Sequence, residues 1–266
     1  MYCKRIAMNP NVIRLMGGFG NQLFQYAFGK AQKENGIEVK YDISKYAKRH
    51  HRYYMLDKFQ MDLEFSVFLW PKTIVDSSSK PNFDIFYLKM QGYNFFGYWQ
   101  YLAYFENLLP ILRDEIRLKK EYETNKFLKL KEKIENEESI AVHVRRDDYL
   151  TSNTISPLPM SYYYEALKEV NGNLYFFSDD IAWCKRIFKK QYFKRELNFV
   201  DMDYYHDFEL MRSCKHIITA NSTFSWWAAI LNDNSDKKVI TPDYWITRYD
   251  HNERNNFPGD WIKLAM

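Results

Sequence analysis

Asn11-Val12-Ile13-Arg14-Leu15-Met16-Gly17-Gly18-Phe19-Gly20-Asn21-Gln22-Leu23-Phe24-Gln25-Tyr26-Ala27 is the stretch that decides the fold. Its first residues form a short apolar run (Val12, Ile13, Leu15), which predicts a buried strand over 11–16. Leu23, Phe24, Ala27, Phe28 and Ala31 then recur at helical spacing and predict a helix over 21–35. Gly36 stands where a helix ends in the left-handed region, and 37–41 predicts the next strand. The unit is strand, loop, helix, strand. Its loop takes three of the 9 glycines in a chain of 266 residues; ordinary usage of about 7% would give roughly 19. Glycine spent so sparingly and then clustered marks a place that needs backbone freedom.

Glycines between a strand and a helix let backbone N–H groups approach an anion at the helix N-terminus. Gly18-x-Gly20-x-x-Leu23 is also two-thirds of a dinucleotide-binding fingerprint, with Asp42 about where a ribose-binding acid would stand. An NAD(P)-dependent oxidoreductase using Gly18 and Gly20 is therefore one reading. A tight turn with no ligand is another. Leu23 in the third glycine's place, and the side-chain amides of Asn21 and Gln22, depart from the fingerprint.

Outward from this unit, residues 43–110 carry a basic-aromatic stretch (Lys45, Lys48, Arg49, Arg52, Tyr53, Tyr54), a serine turn at 77–79 and the aromatic block 93–101. Short helices and one strand are expected there. The Lys- and Glu-rich run 121–138 reads as an exposed helix closing the first half. The boundary is placed so that residues 1–136 and 137–266 form two domains.

The second half alternates apolar strands (140–144, 174–177, 199–200, 216–219, 239–240) with helices (161–170 with Ser161 as N-cap, 181–191, 208–213, 224–231). That pattern implies a parallel α/β sheet. Each strand ends in polar or charged residues, where open α/β sheets bind ligands. In His143-Val144-Arg145-Arg146-Asp147-Asp148, alternation puts His143 and Arg145 on one face. Paired guanidiniums fork-bind a pyrophosphate, and such contacts strengthen as a diphosphate leaves. Asn221 or Ser222 caps the helix that Thr223 opens, and the same groups with Ser225 suit phosphate oxygens. Asp179 and Asp180 suit ribose hydroxyls, and Asp207 the N–H edge of guanine. Asp201-x-Asp203 matches an acidic metal pair, a spacing common by chance, so no metal is expected.

Composition excludes disordered, collagenous and disulfide-scaffold proteins. A net charge of +4 is too weak to argue for nucleic acid. The basic run Lys185, Arg186, Lys189, Lys190, Lys194, Arg195 is read, like Lys45–Arg52, as a solvated face, with a nucleic-acid or membrane-surface binding module as the rival reading. Cys3, Cys184 and Cys214 lack metal spacing and read as free thiols in a reducing compartment. No stretch of 18 apolar residues and no signal peptide are visible, so a cytoplasmic protein is expected, compatible with peripheral contact at the inner face of the membrane.

The glycine stretch, the 143–148 motif, Phe177-Ser178-Asp179-Asp180 and Asn221-Ser222-Thr223-Phe224-Ser225-Trp226-Trp227, in this order, resemble the α-1,2-fucosyltransferases of glycosyltransferase family 11. Gly97-Tyr98-Trp99-Gln100 resembles a further block. The likeness spans about 11–245. It implies a GT-B fold: two Rossmann-like domains with a cleft between them. It implies inverting, metal-independent transfer of L-fucose from GDP-β-L-fucose to the 2-hydroxyl of a terminal galactose, on an oligosaccharide or a lipid-linked glycan. By position, Arg145 holds the β-phosphate and Arg146 supports the loop or the phosphate. His143 and Asp207 meet guanine, and Ser222, Thr223 and Ser225 meet phosphate. Gly20, Asn21 and Gln22 face the donor–acceptor junction, and Gly18 joins the donor-binding residues. Asp148 suits either a general base or an orienter of the arginines. Tyr98 and Trp99 are the rings available for stacking on a sugar.

Overall fold

The computed structural model describes residues 9–47, 52–76, 83–244 and 257–265. Lys48, Arg49, the serine turn at 77–79 and Cys3 lie outside them. The chain divides into two compact units at Ile116/Arg117.

The first unit contains β1 (Asn11–Arg14), α1 (Phe19–Glu34), β2 (Val39–Asp42), β3 (Thr73–Val75), β4 (Asn94–Phe96) and α2 (Leu109–Glu115). Its four strands form a sheet in the order β2-β1-β4-β3, all parallel, with Asn11 opposite Val39 and Ile13 opposite Phe95. The segment 43–110 thus holds two strands where one was expected. Helix α1 begins two residues earlier than its periodicity suggests, because Gly18 takes an extended backbone as N-cap. It ends as read, with Gly36 at φ +80°.

Helix α1 is buried along most of its length, so its glutamines need partners. Gln25 accepts from Met16 N at 2.8 Å and donates to Gly97 O at 2.9 Å, fastening the loops that follow β1 and β4. Gln32 receives Asn11 Nδ2 at 3.0 Å and donates to Tyr87 O at 2.9 Å. The helix comes down on the sheet at Gly29: a Cβ there would stand 2.4 Å from Tyr41 Oη and 2.8 Å from Ile13 Cδ1. The aromatic surplus fills this core. Phe28 stacks on Trp99 (centroids 4.6 Å, 8°) and meets Phe95 and Tyr104 edge-on.

The second unit contains α3 (Asn125–Glu135), β5 (Ser139–Val144), α4 (Met160–Ala166), β6 (Asn173–Ser178), α5 (Ile181–Ile187), β7 (Leu197–Val200), α6 (Tyr204–Ser213), β8 (His216–Ile218), α7 (Thr223–Leu231), β9 (Val239–Pro242) and β10 (Ile262–Leu264). Six parallel strands run in the order β10-β9-β8-β5-β6-β7. Winding proceeds from β5 to β7 on one side and from β8 to β10 on the other, the doubly wound Rossmann order. Ile140, Val142 and Val144 face a core with Tyr162, Tyr163, Ala166, Cys184 and Phe188. On the other face of β5, His143 lies against Phe224 of α7. Cys184 and Cys214 are buried free thiols.

Helix α3 belongs to this unit, so the division falls some way before the expected 136/137. The reason is its apolar side: Phe127 and Ile134 are buried, and the Phe127 ring lies 5.0 Å from that of His206 on α6. Helix α4 starts after Pro159 with no side-chain cap, so Ser161 lies inside it rather than capping it. Helix α5 ends at Ile187, four residues short of the expected end, and a separate turn over Lys190–Tyr192 follows.

Candidate active site

The winding of the second sheet reverses between β5 and β8, and ligands of such sheets sit outside the carboxyl ends of the strands there. Strand β5 runs out into Arg145-Arg146, β6 into Asp179-Asp180 and β8 into Asn221-Ser222. Arg145 Nη2 donates to Asp148 Oδ1 at 2.7 Å, and its Nη1 stands 3.1 Å from Asp179 Oδ2. The other Asp179 oxygen accepts from Arg146 N at 2.9 Å. Burial raises the Asp179 carboxyl and Arg145 pulls it back down; the Arg145 guanidinium, with two acids beside it, is held more firmly protonated despite its burial.

Arg146 is braced differently. Its Nε lies 3.2 Å from Asp180 Oδ2 and its guanidinium stacks 4.0 Å over the Trp183 ring. Asp180 also caps α5 through Trp183 N at 3.0 Å, so one carboxylate fixes both the helix start and the arginine. Tyr149 spans the site, 5.5 Å beneath Arg145 and donating to Asn221 O at 2.9 Å.

Behind the arginines, His143 lies against Phe224 of α7 (5.6 Å), which meets Phe208 of α6. Burial first, and the Arg145 charge second, push the His143 imidazole down to about 3, so it is neutral at physiological pH. Asp207 precedes Phe208 on α6. Burial, then the charges of Asp201 and Asp203, raise its carboxyl to about 8. His143 Nδ1 and Asp207 Oδ1 are buried and have no hydrogen-bond partner among the described residues. Unpartnered buried polar atoms are rare in folded proteins and call for an explanation.

Ser222 caps α7, accepting from Phe224 N at 3.3 Å, with the partly exposed Thr223 beside it. Ser225 corrects its expected role. Its hydroxyl is fully buried, accepts from Ala220 N at 3.2 Å and donates toward Ser222 O at 3.3 Å. It braces the 220–225 turn from inside instead of meeting a ligand.

In the first unit the glycine loop forms as expected, with Gly17 at φ +78°. No side chain caps α1, and no acidic residue occupies its first turn, so the helix dipole at this end is not offset by a carboxylate. Arg52 Nη1 lies 3.6 Å from where a Gly18 Cβ would be. Gly20 is buried in the first turn. Gln22 is a second correction: fully buried, it donates to Tyr53 O at 2.9 Å and accepts from Met55 N at 2.9 Å, tying 53–55 to the loop. Asn21 is partly exposed and accepts from Gln100 Nε2 at 2.9 Å. Trp99 is a third correction, since it is fully buried in the core and unavailable for stacking on a sugar. Asp42, the proposed ribose acid, is fully buried and bound to Arg14 at 2.6 Å and Ser44 N at 2.8 Å. That removes it as a ribose partner for a dinucleotide at this loop.

The second unit thus gathers Arg145, Arg146, Asp148, Asp179, His143, Ser222 and Thr223 at the strand ends, with Asp207 on the adjoining helix. Sequence reading missed Tyr149 and Trp183. Both sit near the arginines they touch, one following the 143–148 motif and the other following Asp180, and an aromatic so close to a buried-strand arginine is the available signal.

Comparison with known proteins bears on the family and the fold. Residues 63–265 match the profile of glycosyl transferase family 11. The chain is 32% identical to the alpha-1,2-colitosyltransferase of Escherichia coli, over 97% of this chain and 99% of that protein. It is 29% identical to the Escherichia coli O-antigen biosynthesis glycosyltransferase WbnK, over 94% and 99%. Its fold is similar to that of the NodZ alpha-1,6-fucosyltransferase co-crystallised with GDP: TM-score 0.52 at 15% identity, covering 84% of this chain and 92% of that chain. Two α/β units on parallel sheets make the architecture GT-B type. Among the described residues no helix is long and apolar enough to cross a membrane. The family profile and the colitosyltransferase likeness agree on one assignment: the chain belongs to glycosyl transferase family 11.

Proposed function

We propose that this glycosyltransferase is an inverting galactoside α-1,2-fucosyltransferase, moving L-fucose from GDP-β-L-fucose to the 2-hydroxyl of a terminal galactose. The observation that carries the reading is Arg145, set at the switch point between two acids that fix its fork. A guanidinium held there offsets the charge that builds on the departing diphosphate, the role a metal plays in other glycosyltransferases. The fucose C1–O bond to the β-phosphate breaks as the galactose oxygen bonds to C1 from the opposite face. GDP leaves with the electron pair of the broken bond, and the proton of the galactose 2-hydroxyl is released to solvent.

In this proposal Arg146 extends the positive rim, while Ser222 and Thr223 supply phosphate contacts at the start of α7. Asp179, bridging both arginines, serves them more than a ribose. Asp148 orients Arg145, to which it is bonded. The orphaned His143 Nδ1 and Asp207 Oδ1 are matched by the polar edge of guanine. Asn21 of the first unit is the amide that meets the reacting sugars, beside Gly18 and Gly20. No metal is required. The likeness to an O-antigen glycosyltransferase supports a lipid-linked or free oligosaccharide acceptor.

A second reading keeps the reaction and changes the sugar. The likeness to a colitosyltransferase favours a donor carrying the 3-deoxy analogue of fucose. One experiment tests both: GDP-fucose and its 3-deoxy analogue are each offered with a panel of galactosides, and the product linkage is determined by NMR. An α-1,2 linkage from GDP-fucose is expected. Preference for the 3-deoxy donor selects the second reading, and an α-1,3 or α-1,6 product rejects the linkage.

A further inference from the structure

The loop after β4 is built with more strain than a connection needs, and it ends on Asn21. Gly97 sits at φ +152°, where a Cβ would come within 2.7 Å of the Asp76 carbonyl oxygen. Two residues on, Trp99 takes φ +54°, the one positive φ at a non-glycine among the described residues. Bulky side chains avoid that region. Asp76, at the end of β3, holds it there: its Oδ2 accepts from Trp99 N at 2.9 Å while the indole is locked in the core. The reversal brings Gln100 back over the glycine loop, where its Nε2 donates to Asn21 Oδ1 at 2.9 Å. Gln25 clamps the two loops together from beneath, between Met16 N and Gly97 O.

We propose that Asp76 and Gln100 are positioning residues for Asn21: the Asp76 carboxylate holds the strained Trp99 backbone so that Gln100 fixes the orientation of the Asn21 amide. This inference rests on the proposed role of Asn21 in sugar transfer. Once Oδ1 receives Gln100, the NH2 end of Asn21 is turned toward Gly17, whose Cβ, if it had one, would stand 2.5 Å from Nδ2. The amide therefore has one defined donor edge. Asp76 is 6% exposed, and its Oδ1 is buried with no partner among the described residues. A buried carboxylate so thinly satisfied is unfavourable for folding, which is understandable where it holds a strained functional loop.

The test measures kcat, the KM for donor and acceptor, and Tm for Gln100→Ala, Gln100→Glu, Asp76→Ala, Asp76→Asn and the double alanine variant. Gln100→Glu keeps the shape and removes the donor. Both Gln100 variants should lose about 10-fold or more in kcat with donor KM within about 2-fold and Tm unchanged. Asp76→Asn, whose amide oxygen can still take the Trp99 N–H, should recover to within about 3-fold of wild type, and the double variant should be no worse than the worse single. Wild-type kcat in Gln100→Ala, or losses that multiply in the double variant, overturns the inference and leaves the proposed function intact. If Asp76→Ala does not fold, the Gln100 pair alone decides. If the unaltered chain transfers no sugar to any galactoside, the proposed function falls and this inference falls with it.

Discussion

Arg145 Nη1 and Asp179 Oδ2 meet at 3.1 Å just beyond Val144 and Ser178, the last paired residues of two neighbouring parallel strands, so a charge pair carries the joining of β5 and β6 past the end of their backbone ladder. The pair is partly open, with side-chain exposures of 20% and 16%. That exposure leaves the guanidinium within reach of solvent, as the proposed phosphate contact requires.

Removing that guanidinium should be felt in the chemical step. Arg145→Ala is expected to lower kcat/KM by at least about 100-fold, a loss of roughly 2.7 kcal/mol of transition-state stabilisation. Arg145→Lys should recover little, because a point charge cannot reach Asp148 and Asp179 with two separate nitrogens while facing a diphosphate. Steady-state kinetics with GDP-fucose decide the matter. Near-normal activity in the alanine variant would sink the assignment.

The Arg145 cluster was readable because its residues are neighbours in sequence or end adjacent apolar strands. The 174–177 run is continuous and apolar, and 140–144 is so but for His143, as befits strands buried on both faces. Strands β3 and β10 left no such trace. Each has three residues, partly or fully exposed, and lies at a sheet edge. The stretch 43–110 follows side-chain hydrogen bonds instead of a period: Asn94 Oδ1 accepts from Leu69 N and its Nδ2 donates to Trp70 O at 2.6 Å. Gln22 and Ser225 suggest a ligand in the sequence for a related reason. A residue type that suits a ligand suits an orphan backbone group equally well, and only the folded loop tells which it meets.

The dinucleotide fingerprint expects its third glycine at position 23, yet the close approach of helix to strand falls at Gly29. A methyl group there must displace both the Tyr41 hydroxyl and the Ile13 side chain. Gly29→Ala is expected to destabilise the chain by about 1–3 kcal/mol, as overpacking does. Urea denaturation should show it as a lower midpoint with an unchanged slope. An equally stable variant would mean that α1 can ride up on the sheet at no cost.

Metal dependence gives a third check. With Arg145 carrying the charge, transfer should persist in EDTA at close to its full rate. Full loss restored by Mn²⁺ would make Asp201 and Asp203 metal ligands and displace Arg145 from the central role.

The last prediction concerns protons. Asp207 is raised to about 8 in the folded chain, against about 3.9 for an exposed aspartate. Between those values the unfolded chain has released a proton that the folded chain still holds. Stability must therefore fall as pH rises from about 4 to about 8, by at most about 1.4 kcal/mol per pH unit for one group, and level off above. Asp207→Asn removes this titration while keeping the shape. The difference in Tm between variant and wild type should grow in the variant's favour from pH 5 to pH 8 and then stay constant. A difference independent of pH would show that the carboxyl ionises normally, so that neither burial nor the charges of Asp201 and Asp203 hold it protonated. GDP should sharpen the contrast. If guanine N–H groups bind the ionised carboxylate, saturating GDP lowers the Asp207 value and shifts the pH dependence of Tm downward in the wild type alone.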